Sequence, residues 1–308
     1  LAGSAVYDRI RCIDLDTSDC VHLGETSRRT PVDIFRPVAE ADFRVCIGNI
    51  EYHYFAGYSG GMKAIMPGVS TRAAIQSNHS RMVEPEAAAG RLNGNPVRED
   101  IDEAAEFCPA DFIVNVVLDE KKEIIHCVSG HYLEAHRAGC NFLDRLYKVE
   151  IPHRADIVVV SAGGYPKDIN MYQAQKALYN AQFAVKEGGV IIWVASCAEG
   201  LGGKTFENWM TGHGQACDMI SHIRKDFRLG GHKAASIAMV LQKARVMLVS
   251  DLPADFVKSI HLEPYADVES ALKAALDAAG GTAGIIAMPY GGSTLPVEAM
   301  KQEECKEH

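Results

Sequence analysis

Two apolar segments, separated by a helix-length stretch, most strongly limit how the second half of this chain folds. Residues 156–161 read DIVVVS and residues 190–196 read VIIWVAS, so each is apolar over nearly its whole length. Strands of this kind are covered on both faces, as parallel strands are in α/β proteins. The stretch 170–186 between them has helical composition and completes a βαβ unit. Because helix and strand segments continue to alternate afterwards, we predict a doubly wound, Rossmann-like parallel sheet.

The first half has a less regular pattern and is predicted to be a separate α/β domain. Residues 43–50, FRVCIGNI, predict a buried strand, and residues 112–118 with 123–128 predict a β-hairpin. The regular alternation begins after residues 150–153, and a length of 308 residues fits two cores. We therefore predict an N-terminal domain over residues 1–150, a C-terminal domain over 151–308, and a cleft between them.

The composition excludes several classes of partner. A formal net charge of -9 argues against binding to nucleic acid, and no apolar run is long enough to cross a membrane. Nine cysteines stand at irregular spacings without a Cys-x-x-Cys pair, which predicts buried, reduced thiols in a cytoplasmic protein. No pattern in the sequence indicates a particular oligomeric state.

Chemically useful residues are densest in residues 51–80, where a strand gives way to a helix. A glycine-rich stretch at 57–61 lies beside Lys63, with His53 before it and His79 after it. Glycines let a backbone approach a ligand closely, and their N–H groups can face an anion. A lysine beside them can hold a phosphate or become a covalent anchor.

This stretch is not a phosphate-binding P-loop. Met62 stands where that motif needs its second glycine, and Ala64 stands where a Ser or Thr would hold magnesium. The structural alternative is a glycine-rich turn with a solvated lysine and incidental histidines. Spacing alone favours that alternative.

The segment and its flanks nevertheless resemble the signature of the nickel-dependent lactate racemase family. Within the segment the resemblance rests on His53, the run YFAGYSGG at 54–61, Lys63, Pro67-Gly68 and His79. Elsewhere it includes LGET at 23–26, TPV at 30–32, EAD at 40–42, GGYPKD at 163–168, Tyr172-Gln173, Lys176, GGHKA at 230–234 and MPYG at 288–291. It therefore spans nearly the whole chain.

The resemblance implies a tethered cofactor in the N-terminal domain. In the family, the lysine that matches Lys63 is joined by a thioamide to a pyridinium-3,5-bisthiocarboxylic acid mononucleotide, a pincer that holds nickel. The histidine that matches His79 completes the nickel coordination. Gly60 and Gly61 are expected to bind the cofactor through close backbone approach.

The resemblance also implies an isomerase that inverts C2 of a small-molecule 2-hydroxy acid. His53 matches one of two acid/base histidines, and a histidine titrates near neutrality. Gln173 and Lys176 match residues that line the substrate side, and an ammonium group favours an anionic substrate. Without the resemblance, Gln173 and Lys176 read as a solvated helix face, and His79 as a surface or capping histidine.

One part of the family's pattern is not found. The partner acid/base histidine and the phosphate-binding residues belong to an upstream segment, whereas this chain begins at Leu1, and His22 lies in a different context. We therefore expect a fragment or a shortened paralogue with little turnover by itself. Heterologous protein made without the cofactor-synthesis enzymes is expected to lack the cofactor. The alternative function is a catalytically inactive ligand-binding protein.

Overall fold

The computed structural model describes residues 3–119, 121–280 and 282–299. It divides into two compact units, each assembled from separate segments of the chain. Unit 1 comprises Leu1–Glu51, Ser59–His79 and Pro96–Gly139, and unit 2 comprises Tyr52–Tyr58, Ser80–Asn95 and Cys140–His308. The division into domains at residue 150 stays a prediction.

The described residues form strands and helices that alternate irregularly along the chain. The strands are β1 Cys20–Glu25, β2 Pro31–Phe35, β3 Val45–Asn49, β4 Tyr52–His53, β5 Gly57–Tyr58, β6 Phe112–Leu118, β7 Ile124–Gly130, β8 Lys148–Ile151, β9 Ala155–Ser161, β10 Val185–Val194, β11 Arg245–Val249, β12 Glu263–Tyr265, β13 Ile285–Met288 and β14 Leu295–Glu298. The helices are α1 Ser4–Tyr7, α2 Arg36–Ala39, α3 Arg72–His79, α4 Pro96–Phe107, α5 Tyr132–Tyr147, α6 Met171–Ala181, α7 Lys204–Gly212, α8 Ala216–Lys225, α9 Gly231–Lys243, α10 Ala254–Ser259 and α11 Val268–Ala279, with 3₁₀ helices at Gly61–Ala64 and Ser80–Val83. None of these helices is long and apolar enough to cross a membrane.

Unit 2 contains a five-stranded parallel sheet in the order β12-β11-β10-β9-β13. Helix α11 packs on one face, where Ala271 and Ala275 join the cluster around Ile157. The alternate residues Val158 and Val160 are also fully buried and point to the other face, and α6 and α9 contact the same strands. The predicted doubly wound parallel sheet is therefore confirmed. The order of the strands reverses direction beside β9, and the carboxyl end of β9 leads towards α6. In open α/β sheets, ligands bind at the point where the strand order reverses.

Unit 1 contains a three-stranded sheet in the order β3-β6-β7. Strands β6 and β7 pair antiparallel, which confirms the predicted hairpin, and β3 pairs parallel with β6. The prediction that β3 is a buried strand is wrong for one of its faces. Cys46 is buried, but Val45 is 48% exposed and Ile47 is 78% exposed. Successive side chains of a strand point to opposite faces, and only one face of β3 is covered.

The cysteines differ in their surroundings. The eight that lie in the described residues are free thiols. Cys46, Cys108, Cys140 and Cys197 are buried as predicted, whereas Cys12, Cys127 and Cys217 are exposed. Cys305 lies outside the described residues.

Candidate active site

The glycine-rich loop of unit 1 is fixed by close packing. Gly60 and Gly61 have φ angles of 73° and 58°, a region that favours glycine, and Gly61 opens the 3₁₀ helix that carries Lys63. The Gly61 N–H donates to Asn115 Oδ1 at 2.7 Å. A Cβ on Gly60 would lie 2.8 Å from Asn115 Oδ1, and a Cβ on Gly61 would lie 2.8 Å from the His136 ring. Both positions therefore need glycine for packing, and their role in cofactor binding stays a prediction.

The Lys63 ammonium lies among protein atoms that disfavour its charge. Burial, reinforced by the positive charge of Arg98, lowers its pKa from 10.5 to about 7, although the Glu51 carboxylate opposes the shift. A lysine with this pKa is substantially neutral at physiological pH. A neutral amine is a nucleophile, which is the property that a covalent anchor requires.

His136 packs against this loop, and its role was not predicted from the sequence. Its Nε2 donates to the Ser59 carbonyl oxygen at 2.8 Å, since a carbonyl only accepts. Burial, Arg98, Arg137 and Lys63 lower the pKa of His136 to about 3, against the raising effect of the Ser59 bond. The ring is therefore neutral near pH 7, and it positions the loop as a hydrogen-bond donor.

His79 is buried at the end of α3 with its tautomer fixed by neighbours. Its Nδ1 lies 2.8 Å from Asn78 Oδ1. The Asn78 amide nitrogen donates to the Val97 carbonyl at 3.1 Å and to Asp100 Oδ2 at 2.7 Å, so Oδ1 is the atom that faces His79. Asp100 is held in turn by the Thr30 hydroxyl at 2.7 Å. His79 Nδ1 must therefore donate, and the neutral ring carries its lone pair on Nε2.

Helix α4 links the surroundings of Lys63 and His79 within unit 1. The 3₁₀ helix that carries Lys63 and the helix α3 that carries His79 both contact α4. From α4, Arg98 acts on the charge of Lys63, and Asp100 holds Asn78 beside His79. Across the parts of the chain that are described, no three His, Cys, Asp or Glu side chains are grouped to hold a metal ion.

His53 lies in unit 2, at the end of the short strand β4. Its Nδ1 accepts the Ala56 N–H at 3.2 Å, within the hairpin that joins β4 to β5. Its ring stacks on Tyr54, with centroids 5.4 Å apart, and meets Phe55 edge-on at 4.5 Å. Since Nδ1 accepts, the neutral ring carries its proton on Nε2.

Tyr54 joins the His53 segment to the parallel-sheet part of unit 2. Its carbonyl oxygen accepts a hydrogen bond from the Tyr179 hydroxyl of α6, and its ring contacts Tyr179 and His232 at centroid distances of 5.5 and 5.9 Å. Burial, with Tyr172 and Tyr179, raises the pKa of the Tyr54 phenol, which therefore stays neutral. The structure thus brings His53 close to the helix that carries Gln173 and Lys176.

Helix α6 presents the two predicted substrate-side residues near its start. Asn170 caps the helix, and its side chain accepts the Gln173 N–H at 3.0 Å. Gln173 is exposed and Lys176 is half-buried. Lys176 follows Tyr172 by four residues, so the two side chains lie on one face of the helix.

Several residues of these sites were not predicted from the sequence, although the sequence pattern around some of them indicated that they matter. Asn115 is a buried polar residue within the apolar run FIVNVVL, and such a residue needs a hydrogen-bond partner. His232 and Lys233 stand in the GGHKA segment that contributed to the resemblance, but no role was predicted for His232. His232 is buried, its Nδ1 accepts the Gly230 N–H at 2.9 Å, and burial with the charge of Lys233 lowers its pKa to about 4.

Comparison with known proteins identifies the family. Residues 1–90 match the lactate racemase N-terminal domain, and residues 151–295 match the lactate racemase C-terminal domain. The lactate racemase of Thermoanaerobacterium thermosaccharolyticum is 36% identical over 271 residues, which cover 86% of this chain and 63% of that protein. The lactate racemase of Lactiplantibacillus plantarum is 34% identical over 286 residues, covering 91% of this chain and 67% of that protein. The chain belongs to the lactate racemase family and spans about two thirds of the length of these relatives.

Solved structures agree with this assignment. The lactate racemase apoprotein from T. thermosaccharolyticum superposes with a TM-score of 0.84 at 34% identity, covering 92% of this chain and 69% of that one. A Thermotoga maritima protein superposes with a TM-score of 0.66 at 19% identity, covering 92% of this chain and 76% of that one. The second likeness supports the fold alone.

Proposed function

We propose that this chain carries cofactor-anchoring and substrate-handling residues of an isomerase that inverts C2 of a small 2-hydroxy acid. The two relatives described above are named lactate racemases, which supports this class of reaction and substrate. The proposed cofactor is a nickel-pincer nucleotide tethered to Lys63. When bound, it would accept the C2 hydride and return it, which is chemistry that no protein side chain supplies.

The observation that carries this proposal is the arrangement of Lys63 and His79 around helix α4 of unit 1. The pKa of Lys63, about 7, gives the amine the nucleophilic character that a covalent linkage needs. His79 offers a lone pair on Nε2, because Asn78 holds Nδ1, and nickel accepts an imidazole nitrogen together with sulfur ligands. These residues fit a tethered sulfur-bearing group that brings the remaining ligands.

On the substrate side, the proposal gives His53 the proton of the 2-hydroxyl group. The Ala56 N–H occupies Nδ1, so His53 exchanges that proton through Nε2. The stacking of Tyr54 on its ring limits how far the imidazole can turn. Gln173 and Lys176 hold the substrate oxygens, with the ammonium group opposite the carboxylate.

The test is to produce the chain together with the cofactor-synthesis enzymes and nickel, and to measure intact mass, bound nickel and racemisation of each enantiomer. We expect added mass on the peptide that contains Lys63. Lys63→Ala should lose both the mass and the nickel, whereas His79→Ala should keep the mass and lose the nickel. His53→Ala should keep both, and any racemisation should fall by ~100- to 10,000-fold.

Two results would contradict the proposal. One is cofactor mass retained in Lys63→Ala, and the other is nickel held wholly by side chains of this chain. Binding of a 2-hydroxy acid by a chain that acquires neither the added mass nor nickel would instead favour the alternative, a ligand-binding member of the family. Lys273→Ala, on the exposed face of α11, is the control for loss of a lysine.

A further inference from the structure

The short hairpin that carries His53 is tied to helix α5 by one carboxylate. Asp144 Oδ1 accepts the Tyr52 hydroxyl at 2.9 Å and the Tyr58 hydroxyl at 2.7 Å. Tyr52 lies on β4 and Tyr58 lies on β5, and these two residues are direct partners in the hairpin. All three residues belong to unit 2. A single oxygen atom of Asp144 therefore holds both strands of the hairpin.

Both tyrosine hydroxyl groups act as donors in this cluster. Burial, reinforced by Asp144, raises the pKa of the Tyr52 and Tyr58 phenols, so both keep their protons at neutral pH. The two side chains are buried, and their ring centroids lie 5.5 Å apart. Hydrogen bonds to a charged acceptor are stronger than those between neutral groups. The second carboxylate oxygen, Oδ2, accepts the Lys148 ammonium at 3.1 Å, so a different atom of Asp144 serves the lysine.

The hairpin depends on these bonds because its own ladder is very short. Strands β4 and β5 have two residues each, and their pairs are Tyr52 with Tyr58 and His53 with Gly57. A two-stranded hairpin by itself is at best marginally stable in water. Successive side chains of a strand point to opposite faces. The tyrosine bonds therefore hold the hairpin from one face, and His53 projects from the other.

The conformation of the hairpin turn decides which nitrogen of His53 carries the proton. Ala56, in the turn, donates its N–H to His53 Nδ1 at 3.2 Å. Donor and acceptor are three residues apart, so this bond forms only while residues 53–57 keep the hairpin geometry. If the strands separate, Nδ1 loses this donor, and the neutral ring can adopt either tautomer.

We propose that Asp144 is a positioning residue for His53. By holding Tyr52 and Tyr58 together, it keeps the turn in the conformation that places the His53 proton on Nε2. The use of that proton in racemisation rests on the proposed function, whereas the link between Asp144 and the tautomer does not. The family resemblance gave Asp144 no role.

The test is nitrogen NMR of the histidine side chains in the purified chain without cofactor, at about pH 8.5, where ordinary histidines are neutral. The His53 signals are assigned by their loss in His53→Gln. The parent should show the Nε2–H tautomer of His53. Asp144→Ala should shift the tautomer ratio towards Nδ1–H by roughly 2- to 10-fold, the net effect of one hydrogen bond. Asp144→Asn keeps an oxygen that can accept both hydroxyl groups, and it should restore the parent pattern.

Two further variants separate this role from loss of charge and from general destabilisation. The combined substitution Tyr52→Phe and Tyr58→Phe keeps both rings and the Asp144 charge but removes both hydroxyl bonds, so it should shift the His53 tautomers as Asp144→Ala does. It also decides the question if Asp144→Ala does not fold. Lys148→Met removes only the partner of Oδ2 and should leave His53 as in the parent.

Parent-like His53 tautomers in the double tyrosine variant, or an equal shift in Lys148→Met, would overturn the positioning role. These spectra need neither nickel nor turnover. The positioning role can therefore fail while cofactor attachment at Lys63 succeeds, and the reverse also holds.

Discussion

The lowered pKa of Lys63 leads to a direct measurement of its reactivity. At a pKa of about 7, roughly half of the Lys63 amines are neutral at pH 7. For a lysine at the ordinary value of 10.5, the neutral share at that pH is about 0.03%. The structure therefore predicts that Lys63 has roughly a thousandfold larger share of nucleophilic amine than an ordinary lysine at pH 7.

The assay is limited acetylation with an amine-reactive ester over a series from about pH 5 to about pH 10, followed by mass spectrometry of the peptides. Lys63 should reach half of its limiting rate near its pKa of about 7. The midpoint in pH does not depend on how easily the reagent reaches the amine, so burial does not mask it. Lys273, exposed on α11, is the internal comparison.

Glu51→Gln is the perturbation that tests the cause. The Glu51 carboxylate raises the pKa of Lys63 against the larger lowering effects of burial and Arg98. Removing its charge should move the Lys63 midpoint to still lower pH and leave Lys273 unchanged. If Lys63 and Lys273 label in parallel across the series, or if Glu51→Gln raises the Lys63 midpoint, the electrostatic reasoning is refuted.

Three further predictions concern unit 1. Lys63→Met should raise the free energy of unfolding most below pH 7, and this increase should vanish towards pH 10.5. Between these values Lys63 binds a proton in the unfolded chain but not in the folded protein, so its cost to stability falls as the pH rises. Urea unfolding at several pH values measures the effect. Asn78→Ala should let neutral His79 occupy both tautomers, visible in its nitrogen NMR shifts, and should weaken nickel binding in the loaded protein by ~10- to 100-fold. If the nitrogen shifts of His79 in Asn78→Ala match those of the parent, Asn78 does not fix the His79 tautomer. Gly61→Ala should cost about 1–3 kcal/mol in urea unfolding, because the new Cβ would enter the His136 ring at a positive φ; an unchanged midpoint would contradict the packing argument.

The parallel sheet of unit 2 was predictable because its signal is local. Residues 156–161 and 190–196 carry apolar side chains on both faces of their strands. The structure buries Val158 and Ile191, and it also buries the residue that precedes each of them and points to the opposite face. Strand β3 shows the limit of such reasoning. Its apolar run is equally local, yet Val45 and Ile47 are exposed, because a pattern reports that a residue is apolar and not whether another element covers it.

The site was predictable only in part, because most of its hydrogen bonds join residues far apart in the chain. Asn115 holds Gly61 from 54 residues away, and Lys233 reaches Tyr172 from 61 residues away. The strand period of 2 residues and the helix period of 3.6 residues describe side chains within one element, so neither predicts such pairings. The family resemblance supplied Lys63 and the residues around it, but it supplied nothing about their partners.

Three histidines show what those partners decide. A side-chain amide oxygen holds Nδ1 of His79, so its lone pair is on Nε2, as a metal ligand requires. A backbone N–H three residues further on holds Nδ1 of His53, so its proton is on Nε2, as proton exchange with a substrate requires. A backbone carbonyl of the glycine-rich loop holds Nε2 of His136, and burial with nearby positive charges keeps that ring neutral. Under the proposed function, the hydrogen-bond partner thus suits each of the three histidines to a different task, and the partner is the part of the site that a sequence motif does not contain.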